Sequence, residues 1–101
     1  MLADDSTPPH DVIDLGDDHE LIFSSYQGEA RVGASIKHKK PDGSTCEGWV
    51  AFAGRSWARG FEPAIAVWTV EQDEPLTLSP SVLCRACGDH GFVRSGKWVR
   101  A

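Results

Sequence analysis

The segment Cys84-Arg85-Ala86-Cys87-Gly88-Asp89-His90-Gly91 constrains this chain more than any other. In a Cys-x-x-Cys-Gly turn both sulfurs face one point, and the glycine supplies the tight backbone. A strand pair follows at once. Phe92-Val93-Arg94 and Lys97-Trp98-Val99 flank Ser95-Gly96, which has the composition of a two-residue hairpin turn. The pattern is half of a metal site, set at the entrance to a small β unit.

Size makes such a fastening important. A chain of 101 residues buries only about 60–65% of its unfolded surface. Its core is thin, and a metal or cross-link would carry a large share of the stability. Hydrophobic content of 41% and four Trp still specify a folded chain rather than a disordered one. The apolar runs are too short to span a bilayer. Met1-Leu2-Ala3-Asp4-Asp5 shows neither a basic nor an apolar region of a secretory signal. The expectation is a cytoplasmic protein whose three cysteines are thiols or ligands rather than disulfides.

Turn and strand signals organise the rest. Residues 1–11 read as a flexible acidic leader containing Pro8-Pro9, and residues 12–101 as one β domain. Strands are expected over 12–15, 20–26, 31–38, 46–52, 64–70 and 76–79, followed by the C-terminal pair. Lys40-Pro41-Asp42-Gly43 is the strongest turn signal. It folds 36–38 back on 46–50 and brings His38 near Cys46. Residues 54–63 read as a loop, with Trp57 and Phe61 turned inward. Ala64 to Val70 is apolar nearly throughout and reads as a strand covered on both faces. No long window has helical periodicity. The fold class is therefore all-β, a small single-domain sandwich or open barrel of short antiparallel strands with a zinc-knuckle-like turn.

The candidate metal ligands are Cys46, Cys84, Cys87, His90 and His38. Three cysteines with one of the two histidines make a closed, structural zinc set. His90 follows Cys87 by three residues, and His38 comes from the hairpin that carries Cys46. In this reading the cysteine turn ties the C-terminal hairpin to the 38–46 hairpin. His10 and His19 lie in the acidic N-terminal third and read as solvated.

Catalytic patterns are missing. The zinc deaminase pairing of His-x-Glu with Pro-Cys-x-x-Cys does not occur, since Leu83 precedes Cys84. A thioredoxin-type pair needs a βαβ setting. A Cys–His nucleophile pair, Cys87 with His90 or Cys46 with His38, has no third group to orient it. No phosphate-binding glycine loop is present, and the chain contains no Asn. The reading is of a protein that is not an enzyme.

Charge divides the chain. Residues 1–30 hold eight acids and no Lys or Arg, and residues 31–101 hold seven acids against ten bases. Arg85, Arg94, Lys97 and Arg100, with Phe92 and Trp98 between them, could follow a phosphate backbone. The net charge of −5 argues against nucleic acid. An acidic leader that mimics nucleic acid and inhibits a host enzyme is a further alternative.

Leu76-Thr77-Leu78-Ser79-Pro80-Ser81, Cys84 with Cys87-Gly88-Asp89-His90-Gly91-Phe92, and Gly96-Lys97-Trp98-Val99 together resemble the C-terminal signature of small proteins of actinobacteria and their phages. The segment from His38 to Gly48 is similar to their middle part. The resemblance implies a phage or prophage accessory protein that works in the bacterial host cytoplasm or as a virion component. It implies no activity. The leading expectation is a zinc-stapled β domain that acts through protein–protein contacts, with no membrane involved. The alternative is a zinc-ribbon-like module associated with nucleic acid.

Overall fold

The computed structural model describes residues 11–101. His10 and the expected leader, Asp11 apart, lie outside the described residues. Asp11 Oδ1 is 3.5 Å from Arg31 Nε.

Three tight turns set the first and last sheets. Asp17-Asp18, Gln27-Gly28 and Ser95-Gly96 each place both residues at positive φ. That is what a two-residue type I′ hairpin turn demands. Asn is the usual first residue, and this chain has none. Asp, Gln and Ser take the position instead.

The first two of these turns shape an antiparallel meander. It contains β1 (Val12–Gly16), β2 (His19–Tyr26), β3 (Glu29–Lys39) and β4 (Thr45–Ala51), in that spatial order. A single helical turn, α1 (Ser56–Arg59), follows. Next, β5 (Thr69–Asp73) pairs with β6 (Leu76–Ser79) as a separate hairpin. A last antiparallel sheet holds β7 (Val82–Leu83), β8 (His90–Arg94) and β9 (Lys97–Arg100) in order. The protein is a small all-β domain with one short helix. Among the described residues no helix is long and apolar enough to cross a membrane.

Period-two alternation builds the core. Leu21 and Phe23 of β2, Ala34 and Ile36 of β3, and Val50 of β4 face inward from the meander. Leu76, Leu78, Val93 and Trp98 meet them from the other two sheets, with Leu15 and Phe52 completing the cluster. The same inward rows continue toward one end of the meander, where their residues turn polar. His19 pairs with His38 across β2 and β3, and His38 pairs with Cys46 across β3 and β4. All three are buried. The core therefore ends in a row of two imidazoles and a thiol.

Two expectations differ from the structure. The run Ala64–Val67 is not a strand, and both alanines are exposed. Only Phe52 and Trp68 bridge there, and strand pairing begins at Thr69, opposite Ser79. An apolar run becomes a strand only where an edge is available to pair with it. The loop aromatics also point the other way. Phe61 is 49% exposed, and Trp57 packs against Phe61 and Trp49 with ring centroids 4.6 and 4.8 Å apart. They extend an outer aromatic surface rather than filling the core.

Candidate metal centre

The turn between β7 and β8 is closed by its own backbone. Gly88 N–H donates to Cys84 O at 2.7 Å, and Cys84 N–H donates to Asp89 O at 2.8 Å. Gly88 takes a φ of +83° in this loop, where an L-residue would be strained. The two cysteine side chains are thereby turned toward the end of the β3–β4 hairpin.

There the structure brings together His38, Cys46, Cys84 and Cys87. One ligand atom from each lies within 4.8 Å of every other. Cys87 Sγ is 3.2 Å from His38 Nε2. The three cysteines are free thiols. Zinc bonds of about 2.3 Å to sulfur and 2.0 Å to nitrogen place tetrahedral donors roughly 3.6–3.8 Å apart. The cluster matches that scale, and its donor set of three soft sulfurs and one imidazole suits a metal ion. Cys46 and His38 come from one sheet, and the Cys84–Cys87 turn leads into another.

The thiols influence one another. Burial pushes the Cys84 thiol up, but the Cys87 N–H, the Cys87 thiol, the Ala86 N–H and the Cys46 thiol outweigh it, and the net shift is downward. Cys87 moves the opposite way. The Asp89 N–H pulls it down, yet burial and the Cys84 and Cys46 sulfurs together raise it. The thiols of Cys84 and Cys87 are thus shifted in opposite directions by each other, by Cys46 and by the N–H groups of the turn.

His90 is not part of the group. Strand alternation along β8 sends it outward with Phe92 and Arg94, while Gly91 and Val93 face in. His90 Nε2 lies 2.8 Å from Ser81 Oγ. Asp89, one residue earlier, faces inward instead. Its Oδ2 is 3.2 Å from His38 Nδ1 and 2.5 Å from His19 Nε2. His19 is thus only 5% exposed rather than solvated. It stacks on Trp98 with centroids 4.2 Å apart and planes 13° from parallel. The neglected signal is periodicity. His19 lies two residues before Leu21 and four before Phe23, in the inward phase of β2.

A cavity of about 80 Å³ adjoins the cluster. Ile36, Val50, Trp68, Val82 and Trp98 supply its apolar walls. Fold and cluster together define a small all-β domain with a Cys/His cluster that could hold a metal ion at the junction of two sheets. No protein-family model, no curated protein and no solved structure matches the chain.

Proposed function

We propose that His38, Cys46, Cys84 and Cys87 hold a structural zinc ion, and that the domain so fastened works by contact with a partner protein. One observation carries the reading: four soft donors, drawn from two parts of the fold distant in sequence, converge within 4.8 Å. Three thiolates and an imidazole are a common zinc set, and four protein ligands leave no open position for a substrate. The role is therefore a staple. It joins the β3–β4 hairpin to the sheet formed by β7, β8 and β9.

The contact role draws support from aromatic side chains left open to solvent. Tyr26, Trp49 and Phe61 are 40%, 39% and 49% exposed. Exposed aromatics are typical anchors of protein interfaces. The C-terminal signature described above supports a phage or prophage setting.

The test is metal analysis of full-length protein purified without added zinc, with thermal melting in buffer and in chelator. We expect one zinc per chain and a clear fall in Tm when it is removed. A ligand present at a thousand times its Kd stabilises the folded state by about 4 kcal/mol. Metal-free protein with the same Tm in chelator would overturn the proposal.

A further inference from the structure

We infer that Asp89 is the positioning residue of this centre: its carboxylate holds the His38 ring so that Nε2, and not Nδ1, is the ligand atom. The inference rests on the metal-centre reading above.

His38 addresses two neighbours with its two nitrogens. Nδ1 is 3.2 Å from Asp89 Oδ2, and Nε2 is 3.2 Å from Cys87 Sγ. A carboxylate accepts hydrogen bonds. The proton of the neutral ring is therefore drawn to Nδ1, and the Nε2 lone pair is left facing the sulfurs. A metal-bound histidine commonly donates its other N–H to a carboxylate in this way, which fixes both tautomer and ring plane.

Asp89 is itself held in place. His19 Nε2 is 2.5 Å from the same Oδ2 atom. His19 Nδ1 is 2.6 Å from the Asp17 carbonyl oxygen, so both ring nitrogens face acceptors, and His19 donates to Asp17 and to Asp89 when each nitrogen carries a proton. The His19 ring is fixed from the side by Trp98. A chain of contacts thus runs from the β1–β2 turn through His19 and Asp89 to His38. One short loop supplies two ligands, Cys84 and Cys87, and the group that aims a third.

His19, His38 and Asp89 could also be taken as a second metal site, since their ligand atoms lie within 4.8 Å of one another. The distances favour hydrogen bonds. Two donors on one ion at about 2.1 Å would stand roughly 3.4 Å apart, and the His19–Asp89 separation of 2.5 Å is too short to admit an ion.

The test compares wild type, Asp89→Asn and Asp89→Ala. Zinc affinity is read by competition with a chromophoric chelator, and the His38 tautomer by long-range proton–nitrogen NMR. Zinc-loaded wild type is expected to coordinate through Nε2, and metal-free wild type to carry the proton on Nδ1. Asp89→Ala should weaken zinc binding by about 10–100-fold. Asp89→Asn keeps one acceptor oxygen and should lose less. Should Asp89→Ala fail to fold, Asp89→Asn and the wild-type tautomer still decide. Affinities within about threefold of wild type for both variants, or coordination through Nδ1, would overturn the inference while leaving the zinc reading intact. Wild type that binds no zinc overturns the zinc reading instead. In that case a metal-free His38 protonated on Nε2 overturns the positioning role as well, and one protonated on Nδ1 supports it.

Discussion

Two tryptophans in this fold use the same device with opposite exposure. Trp49 of β4 lies across Gly33 of β3, and Trp98 of β9 lies across Gly91 of β8. In each case the glycine pairs with the residue two positions after the tryptophan, Ala51 or Arg100. In each case a Cβ on the glycine would run into the indole. It would also meet the next residue's carbonyl oxygen, Val50 O at 2.5 Å or Val99 O at 2.7 Å. Beyond the glycine the two differ. Trp49 reaches Ser24 of β2, donates to its hydroxyl at 3.0 Å and stays 39% exposed. Trp98 is 8% exposed, its Nε1–H has no partner among the described residues, and its ring face lies against His19. A buried donor left unpaired costs about 1–3 kcal/mol. Burial of a large ring offsets that, as does a stacking contact worth about 0.5–1.5 kcal/mol. The same crossing therefore gives a half-exposed anchor in one sheet and a buried platform under His19 in the other.

Truncation separates the two most strongly. Trp98→Ala should lower folding stability by about 3–5 kcal/mol and also weaken zinc binding, because His19 loses its support. Trp49→Ala removes a half-exposed ring and should cost about 1 kcal/mol, with zinc affinity unchanged. Urea unfolding with and without chelator, run on both variants, checks the difference. Equal losses in the two would break the comparison.

Filling the glycines gives a finer test. Forcing atoms into a packed contact costs about 1–3 kcal/mol. Gly91→Ala should fall near the top of that range, since Trp98 is wedged between β8 and His19. Gly33→Ala should lose less only by what the Trp49 ring recovers in swinging toward solvent, since Val50 O at 2.5 Å cannot move aside with it. Only the first should shift zinc affinity in the chelator competition. A larger loss at Gly33 would show that the backbone carbonyls, and not the rings, set the cost.

The outward crossing and the inward one were unequally legible in the sequence. Turn chemistry at Pro41-Asp42-Gly43 was enough to bring His38 and Cys46 to one end of a hairpin, and the structure pairs them directly. The Cys-x-x-Cys turn was equally plain. His19 was obscured by its acidic neighbours Asp17, Asp18 and Glu20, which make it read as solvated, although its phase with Leu21 and Phe23 places it inside. Ligand spacing, counted forward from Cys87, selects His90. Alternation counts back from Val93 and Gly91, and it selects Asp89. The orientation of Trp57 and Phe61, and the loss of strand at 64–67, depend on which sheet edges are free. No local pattern carries that information. Composition records how many tryptophans the chain has, and only tertiary contacts show that Trp49, Trp68 and Trp98 line the cavity beside the cluster.

The smallest expected effect concerns charge at the inward crossing. Asp17, whose carbonyl anchors His19, pairs through its carboxylate with Arg100, two residues beyond Trp98. Arg100 Nε donates to Asp17 Oδ2 at 2.8 Å. That hydrogen bond and the guanidinium charge hold the Asp17 carboxyl below its usual value of 3.8, against a weaker opposing effect of burial. A carboxyl lowered by folding stabilises the native state above its unfolded value, and the contribution fades as pH falls through the lower folded value. In chelator, stability should therefore fall as the pH drops below about 4 and through the lower folded value. Arg100→Ala should make that drop shallower, and high salt should do the same, because both partners are exposed and screened. The outward crossing pairs Trp49 with a neutral serine, so Ser24→Ala should leave this acid profile unchanged. An Arg100→Ala profile that overlays wild type would show that the pair adds nothing to the hold on His19. Support for the His19 ring would then come from the Trp98 stack and the Asp17 carbonyl alone.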